Sequence, residues 1–333
     1  MIVRRTAILG TGGWGTALAA LWGSTGNEIT LWGHTPERVE QIARSRRNPD
    51  YLPGTEVPPN VCLTSRLIDC AGADLIVFVT PSVALREVAS RLRQEMDNPS
   101  AILMSCTKGI EHGTGMRMSE ILAEKFPGNP ISVLSGPNLA VEIARGLPSA
   151  TVLGCCDCAV GEQLQAMLGS ARFRVYTSDE IVGIELGGAL KNIFAIPAGV
   201  SDGFGFGDNS KAALVTRSLA ELLRLGVAMG GDMRTFQGLS GVGDLIATCF
   251  SRYSRNRQLG EQLGRGKSLE EITRGMKTVA EGIPTARSAF ECARKLGVET
   301  PIIDQVYAVL HEGKSPAQAM QELLGRDQKS ERG

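Results

Sequence analysis

Near its N-terminus the chain reads Arg5-Thr6-Ala7-Ile8-Leu9-Gly10-Thr11-Gly12-Gly13-Trp14-Gly15, an apolar run that ends in three spaced glycines. A helical pattern over residues 16–22 follows at once. A strand, a glycine turn and a helix start in this order are typical of a dinucleotide-binding βαβ unit. Gly10 permits the sharp turn, Gly12 lets the backbone approach a pyrophosphate, and Gly15 lets helix and strand pack closely. The flanking patterns favour this interpretation over an ordinary glycine-rich turn.

Strand and helix patterns alternate along residues 1–185, which we predict to be an NAD(P)-binding domain. The expected strands after the first cover residues 28–32, 74–79, 101–105, 131–134, 150–154 and 173–176. Residues 48–60 are expected to form a proline-rich loop. Such alternation predicts a Rossmann-type, doubly wound and mainly parallel sheet, with ligands beyond the carboxyl ends of its strands.

The pattern changes after about residue 179, where strand signals end and helical spacing takes over. Helices are expected at residues 181–198, 209–229, 241–249, 269–276, 284–296, 302–310 and 316–324, with another from residue 259 onward. We therefore predict that residues 186–325 form an all-helical substrate and catalytic domain. Residues 326–333 are expected to be a polar tail.

Composition excludes several classes of partner. Lys and Arg total 35 and Asp and Glu total 35, so the net charge of zero favours neither nucleic acid nor an anionic membrane. No apolar run approaches the roughly 18 residues of a membrane helix. The eight cysteines are expected to be reduced, because Cys155-x-x-Cys158 has no second pair and the three histidines stand apart. We expect a cytoplasmic protein without a metal site.

The segment after the second strand bears on which nicotinamide cofactor is bound. NAD-binding units usually place an acid about 20 residues beyond the glycines, to bind the ribose 2′-hydroxyl. That position falls on Trp32-Gly33-His34, which contains no acid. His34 and the nearby residues Arg38, Arg44, Arg46 and Arg47 could neutralise a 2′-phosphate, although a solvated helix face is the better interpretation for most of these arginines. We therefore expect NADPH to bind at least as well as NADH.

Three segments of the second half carry residue types suited to catalysis. Lys191-Asn192 interrupts an apolar helical run, where burial would depress the lysine pKa and make it useful for proton transfer. Asp244 and Thr248 lie one helical turn apart, and a simple helix cap is the alternative for the aspartate. Ser254-Arg255-Asn256-Arg257 offers phosphate ligands at a helix start, or else a basic solvated face.

Taken together, these segments resemble the bacterial-type NAD(P)-dependent glycerol-3-phosphate dehydrogenases, almost from end to end. Besides residues 10–15, the resemblance is carried by Thr107-Lys108-Gly109-Ile110, Ser135-Gly136-Pro137-Asn138-Leu139-Ala140, Gly188-Ala189-Leu190-Lys191-Asn192, residues 202–209, Gly241-Val242-Gly243-Asp244-Leu245 and Ser254-Arg255-Asn256-Arg257. It implies reversible reduction of dihydroxyacetone phosphate to sn-glycerol 3-phosphate, a precursor of phospholipids. It also implies a homodimer.

The resemblance assigns catalytic roles by motif position. Lys191 would be the general acid and base on the substrate oxygen, while Lys108 and Asn192 would bind and polarise the substrate. Asp244 and Thr248 would orient Lys191. The substrate-binding set comprises Lys108, Gly136, Asn138, Lys191, Asp244, Ser254, Arg255 and Asn256. Asn138 departs from the serine of many family members, and we expect its backbone or amide to serve instead.

The resemblance also assigns the cofactor contacts. They comprise Gly10, Gly12, Gly13, Trp14, Gly15, His34, Lys108, Ala140, Arg255, Val279 and Glu281. Many members have an arginine at the position of His34, which leaves the cofactor preference open. Two other functions also remain open: a related β-hydroxyacid or 6-phosphogluconate dehydrogenase, and a non-catalytic NADPH sensor that needs the glycine loop but not Lys191.

Overall fold

The computed structural model describes residues 3–96, 98–276, 279–328 and 330–331. Met1 and Ile2 of the predicted N-terminal domain lie outside this range, as do Lys329, Arg332 and Gly333 of the predicted tail. The described tail residues are exposed. Ten strands occur in the described chain: β1 Arg5–Leu9, β2 Glu28–Trp32, β3 Arg47–Asn48, β4 Leu52–Glu56, β5 Val61–Thr64, β6 Leu75–Phe78, β7 Ile102–Ser105, β8 Ile131–Ser135, β9 Ser149–Cys155 and β10 Phe173–Ser178.

Eight of these strands form one sheet in the order β10-β9-β8-β7-β6-β1-β2-β5. Every neighbouring pair is parallel except β8 and β9. The central strands β6 and β7 are buried along their whole length, because helices cover both faces of the sheet. The predicted Rossmann-type, mainly parallel sheet is therefore confirmed.

In the part of the chain that the structure describes, six α-helices alternate with these strands: α1 Gly13–Gly23, α2 Pro36–Ser45, α3 Ser82–Glu95, α4 Met118–Lys125, α5 Ala140–Ala144 and α6 Cys158–Leu168. The expectation of a plain loop at residues 48–60 is wrong, because β4 folds back on β3 as a small antiparallel pair. The edge strand β5 was also missed. It has only four residues, and its pairing with β2 is a long-range contact that local spacing does not report.

Among the described residues, nine further helices follow the sheet: α7 Ile181–Gly203, α8 Asp208–Ala228, α9 Met233–Phe236, α10 Asp244–Phe250, α11 Arg255–Gly264, α12 Leu269–Gly275, α13 Gly282–Leu296, α14 Pro301–His311 and α15 Pro316–Leu324. The described part of this region contains no strand, as predicted. Three bounds need correction, and one of them is that α11 begins at Arg255 and not at residue 259. Helix α7 continues through Pro197 to Gly203, and α10 begins only at Asp244, after a turn of π-helix at Leu239–Gly243.

Helix α7 is the central helix of this region. Nearly all of its residues from Gly183 to Ser201 are buried, and α8, α10, α11 and α13 pack around it. By length and composition alone it would also span a membrane, which corrects the expectation that no run approaches that length. Since 89% of the apolar window is buried inside the protein, its apolar character is explained by packing.

Candidate active site

The glycine turn after β1 has the geometry that its spacing predicts. Gly10 has φ +136°, a backbone conformation that side chains disfavour, and its N–H donates to the carbonyl of Trp32 at 2.9 Å. A Cβ on Gly15 would lie 1.9 Å from the carbonyl oxygen of Gly10, so only glycine allows α1 to start this close to β1. A Cβ on Gly12 would meet no atom of the described chain within 4 Å.

This open space lies at the N-terminus of α1, where Gly12 occupies the cap position and no side chain caps the first N–H groups. Free backbone donors and the positive end of a helix dipole favour an anionic group at such a place. The residues present therefore fit the pyrophosphate of a dinucleotide. Of the predicted contacts, Gly13 approaches Ala140 at the start of α5, and Trp14 packs against the apolar core of the sheet.

The end of β2 contains no acid, and exposed His34 is the first polar side chain beyond it. The four nearby arginines do not form one cluster. Arg46 is engaged in the fold, because its guanidinium donates to the carbonyls of Val57 at 3.1 Å and Val61 at 3.0 Å. Its predicted availability for a 2′-phosphate is therefore wrong.

The other three arginines remain near the surface. Arg44 pairs with Glu40 on its own helix, and the Arg38 guanidinium lies 3.6 Å from Asp50 and over the ring of Tyr51. Arg47 is exposed in β3. Sequence reasoning did not single out Tyr51. This residue lies beside the glycine turn, because its carbonyl oxygen is 3.4 Å from the position that a Cβ on Gly13 would take.

Two lysines converge on one buried carboxylate beyond the strand ends. Asp244 accepts from Lys108 Nζ at Oδ2, at 2.6 Å, and its Oδ1 lies 2.9 Å from Lys191 Nζ. Lys108 follows β7, Lys191 lies in the middle of α7, and Asp244 is the first residue of α10. The arrangement holds two cations against one anion, so it favours a substrate group that is negative or becomes negative.

Each lysine has a second acceptor. Lys191 Nζ donates to Thr248 Oγ1 at 2.6 Å, and that hydroxyl donates to the carbonyl of Asp244 at 2.6 Å. Lys108 Nζ donates to the carbonyl of Gly136 at 3.0 Å. A lysine ammonium has three N–H donors, so each retains one donor without an acceptor among the described residues. Those remaining donors can bind an oxygen placed between the lysines.

Burial strongly perturbs the central lysine. It lowers the pKa of Lys191 from its usual 10.5 to about 8, because the charged amine has lost its hydration. The neighbouring Asp244 carboxylate opposes this shift, while the positive charge of Lys108 adds to it. An amine with such a pKa exchanges a proton readily near neutral pH, as the sequence predicted.

Asn138 lies beyond β8 on the same side as Gly136. Its backbone N–H donates to the carbonyl of Gly136 at 2.7 Å, and its Nδ2 donates to Thr151 Oγ1 at 2.9 Å. Its Oδ1 is buried and has no hydrogen-bond partner among the described residues. The neighbouring Ser135 Oγ is likewise buried and unpartnered within the described chain. Two acceptors without donors suit a ligand that carries hydroxyl groups.

Two buried amides connect α7 to the start of α13. Asn256 Nδ2 donates to Asn192 Oδ1 at 2.9 Å, and Asn256 Oδ1 accepts from the backbone N–H of Gly282, also at 2.9 Å. Asn192 Nδ2 approaches the carbonyl of Gly188 at 3.4 Å. The Asn256 side chain thus holds the Asn192 side chain in place, and the Asn256 amide keeps one hydrogen for a ligand.

The remaining predicted residues gather around the N-terminus of α11. Ser254 caps this helix by accepting from the backbone N–H of Arg257 at 3.3 Å. Arg255 is exposed, and its guanidinium donates to the carbonyl of Val279 at 3.1 Å. Val279 is also exposed, so Arg255 and Val279 line an open face while Ser254 is buried behind them.

Glu281 connects the helical region to the sheet region. Its Oε1 accepts from the backbone N–H of Ser82 at 3.0 Å, and its Oε2 accepts from the Ser82 hydroxyl at 2.5 Å. Ser82 begins α3 directly after β6, so this contact lies at the carboxyl end of the sheet. Burial raises the pKa of Glu281, while Ser82 and Arg255 favour its charged form. Sequence reasoning missed Ser82, because this contact spans 199 positions.

The cysteine segment forms a strand end and the start of a helix. β9 ends at Cys155, Asp157 caps α6 through the N–H groups of Ala159 and Val160, and α6 begins at Cys158. Within the described ranges, no group of three or more His, Cys, Asp or Glu side chains is arranged to hold a metal ion. All eight cysteines are free thiols.

Two family models together match almost the whole chain. The model of the NAD-dependent glycerol-3-phosphate dehydrogenase N-terminus matches residues 5–160, and that of its C-terminus matches residues 180–321. Curated relatives named glycerol-3-phosphate dehydrogenase [NAD(P)+] include one from Streptomyces griseus, 46% identical over 331 residues, which cover 98% of each chain. Another from Geobacter sulfurreducens is 45% identical over 332 residues, which cover 98% of this chain and 99% of the relative.

Solved structures give the same result. The crystal structure of glycerol-3-phosphate dehydrogenase from Coxiella burnetii superposes with a TM-score of 0.94 at 37% identity, covering 97% of this chain and 99% of that one. The yeast enzyme superposes with a TM-score of 0.80 at 26% identity, covering 97% and 99%. With relatives above 40% identity over nearly the full length and both family models matched, this chain belongs to the NAD-dependent glycerol-3-phosphate dehydrogenase family.

Proposed function

We propose that this protein catalyses the reversible, NAD(P)H-dependent reduction of dihydroxyacetone phosphate to sn-glycerol 3-phosphate. The observation that supports this most is the Asp244 carboxylate between Lys108 and Lys191. This group lies beyond the strand ends, on the side of the sheet where the glycine turn also lies. Its two lysines each keep an N–H donor that would stabilise the negative charge on a ketone oxygen.

When bound, the nicotinamide supplies the hydride that reduces the carbonyl carbon. Lys191 gives the proton to the ketone oxygen and recovers one from solvent, and in the reverse direction its neutral amine takes the proton from the hydroxyl. Asp244 and Thr248 hold two of its N–H donors, which directs the third toward the substrate. Lys108 donates to the same oxygen and polarises the carbonyl, while Asn192 holds a substrate hydroxyl.

The substrate phosphate is held at the start of α11. Arg255 offers paired guanidinium donors, Ser254 its hydroxyl, and Asn256 the remaining hydrogen of its amide. The helix N-terminus adds backbone donors and a favourable dipole. Asn138 and Gly136 complete the substrate site from the strand ends. Binding of the phosphate orients the carbonyl against the nicotinamide, so part of the phosphate binding energy serves the reaction.

Gly10, Gly12, Gly13, Trp14 and Gly15 would hold the pyrophosphate of the cofactor. Ala140, Val279, Glu281, Arg255 and Lys108 complete the cofactor site. His34 and Arg47, with no acid at the end of β2, favour a 2′-phosphate. We therefore expect NADPH to be used at least as well as NADH.

The wider setting is also proposed. Residues 1–185 would be the cofactor domain, residues 186–325 the substrate domain and residues 326–333 a tail. The protein would act as a homodimer in the cytoplasm, and its product would supply glycerophospholipid synthesis.

The decisive experiment measures oxidation of NADPH and of NADH by dihydroxyacetone phosphate, side by side. The same preparation is assayed in the oxidative direction with 3-hydroxyacids and with 6-phosphogluconate. We expect turnover with the three-carbon phosphate alone. Activity only on the other two substrates would assign the protein to a related dehydrogenase, and a strong preference for NADH would contradict the cofactor proposal.

A non-catalytic NADPH sensor is distinguished by Lys191→Ala. We expect this variant to bind NADPH normally, measured by fluorescence titration, and to lose about two to four orders of magnitude in turnover. An unchanged rate would remove Lys191 from the mechanism.

A further inference from the structure

The segment between β7 and α4 carries Lys108. Residues 107–117, here named the Lys108 hairpin, fold back through an antiparallel bridge between Ile110 and Arg117. The N–H of Glu111 donates to the carbonyl of Met116 at 2.9 Å, which closes the turn. The hairpin therefore sets the position from which the Lys108 side chain reaches Asp244.

One contact fixes the hairpin to the helical region. Ile110 is 3% exposed and packs in the apolar core formed around α7. Its carbonyl accepts from the hydroxyl of Ser288, on α13, at 2.9 Å. The Ser288 side chain is buried, so this hydrogen bond is not exchanged with water. It lies two positions from Lys108.

A second contact fixes the hairpin to α3. Arg86 Nε lies 2.6 Å from Glu111 Oε1, and its Nη2 lies 2.8 Å from Oε2, which is a paired and charge-assisted geometry. Thr114 also donates to Glu111 Oε2, at 2.6 Å. These donors hold the pKa of Glu111 below its usual value, so the carboxylate stays charged. Arg86 binds Glu124 too, at 2.7 Å, but Glu124 lies on α4 outside the hairpin.

We propose that Glu111 and Ser288 are positioning residues for Lys108, an inference that rests on the proposed function. Neither side chain touches Lys108, Lys191 or Asp244 among the contacts described. Glu111, three positions from Lys108, connects the hairpin to α3, and Ser288 connects Ile110, two positions from Lys108, to α13. Loss of either contact lets the hairpin shift, and displacements of about 1 Å at a reacting group cost up to roughly a hundredfold in rate.

Displacement of Lys108 has a specific electrostatic signature. The charged groups near Lys191 are Asp244, which favours its protonated form, and Lys108, which disfavours it. The neighbouring thiol of Cys249 is neutral, because burial raises its pKa to about 12. When Lys108 moves away, the pKa of Lys191 rises. The pH at which the reductive rate falls should therefore rise as well, which loss of stability alone would not produce.

The test compares two pairs of substitutions. Glu111→Ala is matched by Glu124→Ala, which removes the other carboxylate bound to Arg86. Ser288→Ala is matched by Ser218→Ala, since Ser218 is equally buried but its hydroxyl has no partner among the described residues. We expect kcat/KM for dihydroxyacetone phosphate to fall at least about fivefold in the first member of each pair. The matched control should change by less than about twofold, and NADPH affinity should hold in all four.

The pH profile separates positioning from general damage. The alkaline limb of kcat/KM should move to higher pH in Glu111→Ala and Ser288→Ala but not in the controls. If Glu111→Ala does not fold, Glu111→Gln and Glu124→Gln give the same comparison. If the wild type is active, but the two variants of each pair have equal kinetics and equal pH profiles, the inference is overturned while the proposed function stands. An inactive wild type would overturn the proposed function, and the inference with it.

Discussion

Lys191 Nζ lies 2.9 Å from Asp244 Oδ1, and both side chains are almost completely buried. The Asp244 carboxylate stabilises the protonated form of Lys191, which burial disfavours. Asp244→Asn would leave Lys108 and Lys191 against a neutral amide. We expect kcat/KM to fall by about two to three orders of magnitude, because truncating a buried charge pair leaves the remaining charge uncompensated. The assay is NADPH oxidation by dihydroxyacetone phosphate. Near-normal turnover would show that Asp244 does not support either lysine.

The same pair predicts the pH dependence of the reaction. The pKa of Lys191 is lowered to about 8, and reduction requires its protonated form. The reductive kcat/KM should therefore be constant below that pH and fall as the pH rises through it, while the oxidative rate should rise over the same range. In Asp244→Asn the reductive fall should begin at lower pH, because the charge that favours the ammonium is lost. Full profiles in both directions test this, and a reductive rate that still rises at about pH 9 would contradict it.

The glycine turn allows folding and cofactor binding to be separated. A Cβ on Gly15 would collide with the carbonyl of Gly10, whereas a Cβ on Gly12 would meet nothing in the described chain. We expect Gly15→Ala to lower the free energy of unfolding by about 2–4 kcal/mol. Gly12→Ala should leave stability within about 0.5 kcal/mol of wild type but weaken NADPH binding at least about tenfold.

Urea unfolding and fluorescence titration measure these two effects. Gly54→Ala is the control, because Gly54 lies in β4 with open space around it. Equal losses of stability for Gly12→Ala and Gly15→Ala would refute the assignment of Gly12 to the cofactor.

Glu221 predicts a stability change that is independent of catalysis. Its carboxylate accepts the N–H groups of Ile302 and Ile303 at the start of α14, at 2.9 and 2.7 Å. Burial nevertheless raises its pKa from 4.5 to about 7. The folded state therefore binds more protons than the unfolded state between these values, and the stabilisation is lost as the pH rises through about 7.

We expect Glu221→Gln to remove this dependence. Between about pH 5 and about pH 8, the wild type should lose roughly 2 kcal/mol of unfolding free energy relative to the variant. Exposed Glu312, at the other end of α14, supplies the control variant Glu312→Gln. A difference that does not change with pH would show that Glu221 is ionised throughout.

Prediction from sequence succeeded where the physical cause is local. The turn at Gly10 depends on neighbouring residues alone, and the buried run of β6 reflects a strand covered on both faces. It failed where the cause is a long-range contact. The strand β5 exists because it pairs with β2, and Arg46 is engaged because carbonyls of residues 57 and 61 lie opposite it. No local spacing contains that information.

The candidate site divides in the same way. Lys108, Lys191 and Asp244 were each singled out by their residue type, their immediate neighbours or their motif. Sequence reasoning had no means to find Ser82, Glu111 or Ser288. Their partners lie 199, 25 and 178 positions away, and their residue types are ordinary at the surface or in a helix.

The alternation of most strands and helices, the glycine turn and the missing acid after β2 were determined by the sequence alone, because backbone conformation and hydrophobic spacing act over a few residues. Only the tertiary structure decided that Lys108 and Lys191 share one carboxylate. Lys108 and Lys191 lie 136 and 53 positions from Asp244 in the chain, and they meet it because α10 packs on α7 while α7 packs against β8 and β9. Burial by that packing, and not the lysine itself, lowers the pKa of Lys191 into the range where it can transfer protons.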